Sequence, residues 1–150
     1  MPPLPLKLLH VAAAVVFLGN ITTGFFWVRH AARRRDPARL AEAMDGVLRA
    51  DARFTVPAAA LVLLSGLGLA HLHGLPPARV PWLAGGLGLF ALSGLLFLPV
   101  VLLQRRLRAL AGAGADWPAC RRLLRSWTVL GAASTGAAWA ALALMVLRPG

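Results

Sequence analysis

Apolar residues run along this chain in four long blocks, at about residues 6–28, 54–75, 81–104 and 126–147. Each block has about 20 residues or slightly more, enough for a helix to cross a hydrocarbon core of about 30 Å. The segments between the blocks are more polar. The pattern predicts an all-α fold, an integral membrane four-helix bundle that occupies residues 1–150 as one domain.

The basic residues are concentrated in two of the segments between the blocks. Seven arginines lie in 29–53 and six in 105–125, which together hold 13 of the 16 basic residues. Because basic loops stay in the cytoplasm, this asymmetry predicts that both termini lie outside. We expect an N-out/C-out protein of the bacterial inner membrane with periplasmic termini. The first block is expected to be a retained helix, since a secretory signal carries its charges before the apolar run.

The first arginine-rich segment also contains a helix start. Asp36–Pro37 combines a preferred N-cap residue with proline at the first helical position. Apolar residues then recur at helical spacing, at Leu40, Met44, Val47 and Leu48. We therefore predict a short cytoplasmic amphipathic helix between the first two spans, either lying on the headgroups or continuing into the second span.

Composition excludes several classes of function. Only 14% of the residues are charged, against about a quarter in a soluble domain. The net charge of +11 could suggest nucleic acid, but the basic residues flank apolar blocks, which indicates a lipid bilayer and no nucleic acid. The span interiors lack Asp, Glu, Lys and Arg, which argues against a proton-coupled transporter. The chain shows no nucleophile–base–acid pattern, and whether it is an enzyme stays open.

Small and polar residues within the spans predict how the helices pack. The third and fourth spans are rich in glycine and serine, which let membrane helices approach closely. Asn20 is expected to hydrogen-bond across helices, to Ser65 or Thr135. The outer loop between the second and third spans is short and proline-rich, so these spans are expected to be close antiparallel neighbours.

Histidines are the candidate ligands of the spans. His10 lies 19 residues from Arg29, and His71 lies 18 residues from Arg53. At 1.5 Å per residue these distances are about 28 and 27 Å, so His10 and His71 are expected at matched depth near the outer side. Two such imidazoles suit the axial ligation of haem b, or they could bind copper or zinc with further ligands, His73 among them. The alternative is that they sit at the interface, bonded to water or headgroups.

Several stretches resemble a known family. These are LLHVAAAVVFLGNITTGFFW, ADARFTVPAAALVLLSG, RSWTVLGAAS and MVLRP. Together they resemble an uncharacterised bacterial family of predicted integral membrane proteins with four helices. More distantly, the first span is similar to the copper-resistance D membrane domain and to the membrane protoporphyrinogen oxidase. In that oxidase a first-span histidine ligates haem b, which would correspond to His10. No later span carries a lysine, so the resemblance leaves His71 as the best second ligand and His73 behind it.

Two functions are expected from these observations. The first is a small redox protein of electron transport, binding haem b, or with less support copper, through His10 and His71. The second is a cofactor-free structural or assembly subunit that packs with other membrane subunits or with copies of itself.

Overall fold

The computed structural model describes residues 3–149, which form helices joined by short turns and no strands. Four helical stretches are long and apolar enough to cross a membrane, so the prediction of four spans is confirmed. The helices are α1 (Leu4–Ala32), α2 (Pro37–Ala50), α3 (Val56–Leu72), α4 (Pro81–Gly112) and α5 (Trp117–Leu147), and a π-helical turn at Asp51–Thr55 joins α2 to α3.

The helices extend further into the arginine-rich segments than the apolar blocks do. Helix α4 ends at Gly112 and α5 begins at Trp117, whereas the apolar blocks end at 104 and begin at 126. Hydropathy marks only the apolar part of a helix. Leucine, alanine and arginine are all good helix formers, so these helices continue where the side chains become charged.

Helix α2 begins at the predicted residues. The Asp36 carboxylate accepts a hydrogen bond from the Ala38 amide at 2.9 Å, and Pro37 occupies the first turn. Through the π-helical turn, α2 and α3 form one helical stretch from Pro37 to Leu72. Of the two arrangements expected for this segment, the structure has continuation into the second span.

The helices pack as two pairs joined through α1. Helix α3 packs against α1, and α4 packs along α5. Helix α1 also contacts α5, and the Phe17 ring lies 5.6 Å from that of Phe90 on α4. Among the described residues, α3 and α4 share no extensive interface, so the expected close pairing of the second and third spans is wrong. The turn connects the end of α3 to the beginning of α4, but α3 packs on α1 instead of on α4.

Small residues form the α4–α5 interface, as the glycine and serine content predicts. A methyl group added at Gly86 would lie 2.5 Å from Cε of Met145, and one at Gly85 would lie 3.0 Å from Cδ1 of Leu144. Further along the same interface, Ser93 and Ser134 are buried against each other.

The largest buried core lies at the arginine-rich end of the bundle. There α2 packs on α1 and α4, and residues at the beginning of α5 complete the core. The residues with almost no exposed surface are Val28, Leu40, Met44, Gln104, Leu107, Cys120 and Trp127. Most of them are apolar, so the polar residues of this region stand out as candidates for function.

Candidate functional site

The first candidate site surrounds the π-helical turn. The wider turn is closed by a hydrogen bond from the Val56 amide to the Asp51 carbonyl. Asp51 is only 6% exposed and Thr55, four residues later, is also buried. Single π-helical turns inside helices occur frequently at functional sites. An ionisable residue inside the membrane part of a protein is likewise a candidate for function by default.

Asp51 accepts hydrogen bonds from three parts of the chain. The Thr55 hydroxyl donates to Asp51 Oδ1 at 2.7 Å, and the Gln104 amide on α4 donates to Oδ2 at 3.2 Å. The Asn20 amide on α1 donates to Thr55 Oγ1 at 2.8 Å and lies 3.4 Å from Asp51 Oδ1. All of these donors are neutral, and no ion pair of the described residues includes Asp51.

A cavity of about 30 Å³ adjoins this cluster, which we call the Asp51 cluster (Asn20, Asp51, Thr55 and Gln104). Trp127, Ser134 and Thr135 also line the cavity. Gln104 Oε1 and Trp127 Nε1 are buried and have no hydrogen-bond partner in the described protein. Buried polar atoms are almost always satisfied by protein or ordered water. A cavity above roughly 10–15 Å³ can hold a water-sized species, so this one provides both the space and the unpaired polar atoms.

The Asp51 cluster corrects the expected partners of Asn20. Asn20 does bond across helices, but its partners are Thr55 and Asp51 rather than Ser65 or Thr135. Asp51 itself lies in the bundle interior, although the four apolar blocks lack acidic residues. Hydropathy leaves Asp51 outside the second apolar block, because it does not show that α2 and α3 form one helical stretch. The four-residue spacing of Asp51 and Thr55 was the available signal.

The second candidate site is the contact between His10 and α3. His10 Nδ1 lies 3.0 Å from Ser65 Oγ, and the Ser65 hydroxyl donates to the Leu61 carbonyl. The serine oxygen is therefore free to accept the Nδ1 proton of the imidazole. A methyl group at Gly66 would lie 2.9 Å from His10 Cε1, so the ring packs directly on this glycine. Ser65 is thus the partner of His10, and the imidazole occupies the space beside Gly66.

His10, His71 and His73 do not come together. His10 lies beside Gly66, five residues before His71, which corresponds to a rise of about 7.5 Å and a rotation of about 140° along α3. His71 is exposed, and His73 Nδ1 bonds to the Leu69 carbonyl at 2.7 Å. The expected matched depth of His10 and His71 is therefore not found. Within residues 3–149 no group of three or more His, Cys, Asp or Glu side chains could hold a metal ion.

The model of a family described as predicted integral membrane protein (DUF2269) matches residues 4–149. The chain belongs to this family. No curated protein and no solved structure gave a match. Together with its four apolar helices, membership identifies this DUF2269 protein as an integral membrane protein in contact with a lipid bilayer. The distant similarity to the copper-resistance D domain and to protoporphyrinogen oxidase stays a prediction.

Two polar sites of this DUF2269 protein have different chemistry. The His10 contact offers one imidazole nitrogen, Nε2, whose ring is oriented by Ser65. The Asp51 cluster offers a carboxylate, two amide oxygens and one hydroxyl beside a small cavity. Oxygen ligands of this kind suit hard cations and water, whereas imidazole suits haem iron, copper or zinc.

Proposed function

We propose that this DUF2269 protein binds a small monovalent cation at Asp51. The observation that carries the proposal is a buried carboxylate with only neutral hydrogen-bond donors around it, next to a cavity of about 30 Å³. A cation in this cavity would supply the positive charge that the neighbouring side chains lack.

The energetics of burial favour such an occupant. Removing an ionised carboxylate from water costs several kcal/mol even after relaxation of the protein. Hydrogen bonds from Asn20, Thr55 and Gln104 offset part of this cost, but none of them neutralises the charge. A single carboxylate balances one positive charge. Gln104 Oε1, which has no protein partner, offers a further oxygen ligand. Sodium and lithium, as small and hard ions, are the expected occupants.

Calorimetry tests this proposal on the full-length protein in detergent. NaCl, LiCl and KCl are each titrated into a choline-based buffer at constant ionic strength. We expect saturable heat with sodium or lithium and its loss in Asp51→Asn. Asp45→Asn is the matched control, because Asp45 is paired with Arg49 and Arg108 outside the cluster and should leave binding intact. Saturable heat that persists in Asp51→Asn, or none from any cation in the folded wild type, would overturn the proposal.

The orientation of the helices is a further proposal. The arginine content of the segments around α2 and between α4 and α5 supports a cytoplasmic location for both, with α2 on that side of the membrane and both termini outside. The Asp51 cluster would then lie in the cytoplasmic half of the bacterial inner membrane. A reporter active only in the periplasm, fused after Gly150, is expected to be active. Activity of a cytoplasm-specific reporter at the same position would reverse the orientation.

Binding of haem b, or less favourably of copper, at His10 is the second candidate function. It is supported by Ser65, because ligating histidines usually donate their other ring nitrogen to a fixed partner. His71 lies on another face of α3, so the fit for two axial histidines is poor and His10 is the better supported ligand. A Soret band or bound copper in the purified protein, lost in His10→Ala, is the expected result. His30→Ala should keep it and is the control, because His30 is exposed near the other end of α1. A colourless protein without copper would contradict this function.

A role as a subunit of a larger membrane assembly is supported by α3. Among the described residues, the extensive helix–helix interface of α3 is with α1. Helix α3 exposes a run of apolar side chains, namely Leu61, Leu63, Leu64, Leu67 and Leu72. Another membrane subunit or a second copy of the chain could cover this face. Cross-linking from a cysteine placed at Leu64 is expected to capture such a neighbour in membranes. A cysteine at Leu98, exposed on α4, is the control.

A further inference from the structure

A groove lined by arginines lies between the end of α1 and the beginning of α5. Its volume is about 700 Å³. We call it the arginine groove, and its charged lining consists of Arg29, Arg33, Arg35, Arg121 and Arg125. We propose that the arginine groove binds the headgroup of an anionic phospholipid that carries two phosphate groups. This proposal is independent of cation binding at Asp51.

The positive charge of the groove is not compensated by the protein. The ion pairs of the described residues join Arg39 to Asp36 and both Arg49 and Arg108 to Asp45, and none of these arginines lines the groove. Two carboxylates lie near it in sequence. Asp36 accepts from the Ala38 amide and Asp116 from the Ala119 amide, so each caps a helix. Five guanidinium groups are therefore available for an external anion.

The lining also indicates that the anion is part of a lipid. Trp117, Thr128 and Val129 complete the groove, and Val129 is 68% exposed on the apolar part of α5. The groove thus continues from charged side chains to a surface that faces hydrocarbon. A soluble phosphate would use the charged part alone, whereas a phospholipid would place its headgroup on the arginines and an acyl chain along Val129. Basic pockets between membrane helices are known to bind such headgroups.

The number of arginines favours two phosphates. A guanidinium group binds phosphate through two parallel hydrogen bonds, and two arginines can surround one phosphate. Arg29, Arg33 and Arg35 come from the α1 side, and Arg121 and Arg125 come from α5. Each side therefore offers enough donors for one phosphate group, and a headgroup with two would contact both sides.

Native mass spectrometry of the detergent-solubilised full chain tests the proposal. The probes are cardiolipin, with two phosphates, phosphatidylglycerol, with one, and phosphatidylcholine, with no net charge. The groove variant replaces Arg33, Arg121 and Arg125 with glutamine. The control variant replaces Arg34, Arg105 and Arg122 with glutamine. It removes the same charge from the same end of the bundle, but none of these three residues lines the groove.

We expect cardiolipin to bind the wild type and the control with similar affinity, and the groove variant at least about tenfold more weakly. Each arginine near an anionic lipid surface adds to the attraction for that lipid, so the loss of three should be measurable. Circular dichroism and thermal unfolding establish that both variants are folded. Equal weakening in both variants would overturn the proposal, as would equal affinity for phosphatidylglycerol or phosphatidylcholine. A soluble source is tested with inorganic pyrophosphate, and full displacement of cardiolipin by millimolar pyrophosphate would also overturn it.

Discussion

Ser93 and Ser134 hydrogen-bond to each other's backbone in a reciprocal pair. The Ser93 hydroxyl donates to the Ser134 carbonyl at 2.8 Å, and the Ser134 hydroxyl donates to the Ser93 carbonyl at 2.9 Å. These two hydrogen bonds link α4 to α5, and both carbonyls remain part of a continuous helix. Close packing of small residues and such bonds are what hold membrane helices together, because lipid tails are as apolar as leucine.

The double substitution Ser93→Ala and Ser134→Ala should therefore destabilise the α4–α5 pair. An interhelical hydrogen bond is worth about 0.6 kcal/mol on average, so the free energy of unfolding should fall by about 1 kcal/mol. Reversible unfolding by sodium dodecyl sulfate in mixed micelles measures the change. Ser126→Ala is the control because Ser126 is exposed on the same helix. A double variant as stable as this control would show that the pair contributes nothing.

Gly66→Ala should displace the His10 imidazole. The new methyl group would lie 2.9 Å from Cε1, so the ring must move and the bond to Ser65 is lost. Overpacking of this kind costs about 1–3 kcal/mol. The same unfolding assay measures it, with Gly19→Ala as control because nothing lies within 4 Å of a methyl group there.

The losses of unfolding free energy caused by Gly66→Ala and Ser65→Ala should not simply add in the double variant. Both substitutions act through the hydrogen bond between His10 and Ser65, and coupled residues show interaction energies. If the two effects simply add, Gly66 does not position the His10 side chain.

Thr55→Val should disrupt the Asp51 cluster. The Thr55 hydroxyl donates to Asp51 and accepts from Asn20, so valine leaves both groups short of a partner while keeping the shape of the side chain. Leaving buried polar groups unsatisfied costs about 1–3 kcal/mol, and more for a charged group. Unfolding measures the loss, and Thr55→Ser should restore most of it. Thr128→Val is the control because its hydroxyl bonds only to the Leu124 carbonyl of its own helix. An equal effect of both valine variants would contradict a special role for the cluster.

Arg35→Gly should stabilise the turn after α1. Arg35 has φ +53°, a left-handed conformation that costs an L-residue roughly 1–2 kcal/mol and glycine almost nothing. The free energy of unfolding in neutral detergent should rise by about 1 kcal/mol. Arg34→Gly is the control, since Arg34 does not have a positive φ, and it should not stabilise. Destabilisation by Arg35→Gly would mean that the arginine side chain makes contacts worth more than the backbone cost.

The parts of the fold that follow from local sequence were predictable. The length of an apolar run gives a span directly, and Asp36–Pro37 marks the start of α2 because capping depends on a few adjacent residues. The small residues of α4 and α5 likewise indicated close packing. Each of these signals lies within one segment of the chain, so no knowledge of the neighbouring helices was needed.

The candidate sites could not be predicted in the same way. They depend on contacts between distant segments and on how far one helix is displaced along another. The estimate of matched histidine depth assumed that Arg29 and Arg53 lie at one level of the membrane. Arg53 belongs to the π-helical turn, whose Asp51 and Thr55 contact Asn20. Asn20 is nine residues from Arg29, or about 13.5 Å along α1. The second helix is therefore displaced along the first, which moves His71 away from His10 and brings Asp51 into the bundle.

The π-helical turn also sets how far α3 is rotated about the helix axis relative to α2. A π turn holds one residue more than an α turn, and one residue corresponds to about 100° of rotation. With an ordinary α-helical turn in its place, α3 would be rotated by that angle relative to α2. With α2 fixed on the core, Ser65 and Gly66 would then turn away from His10. The extra residue therefore lets one helical stretch contact two partners. Asp51 contacts α4 at one end of the stretch, and Ser65 contacts α1 at the other.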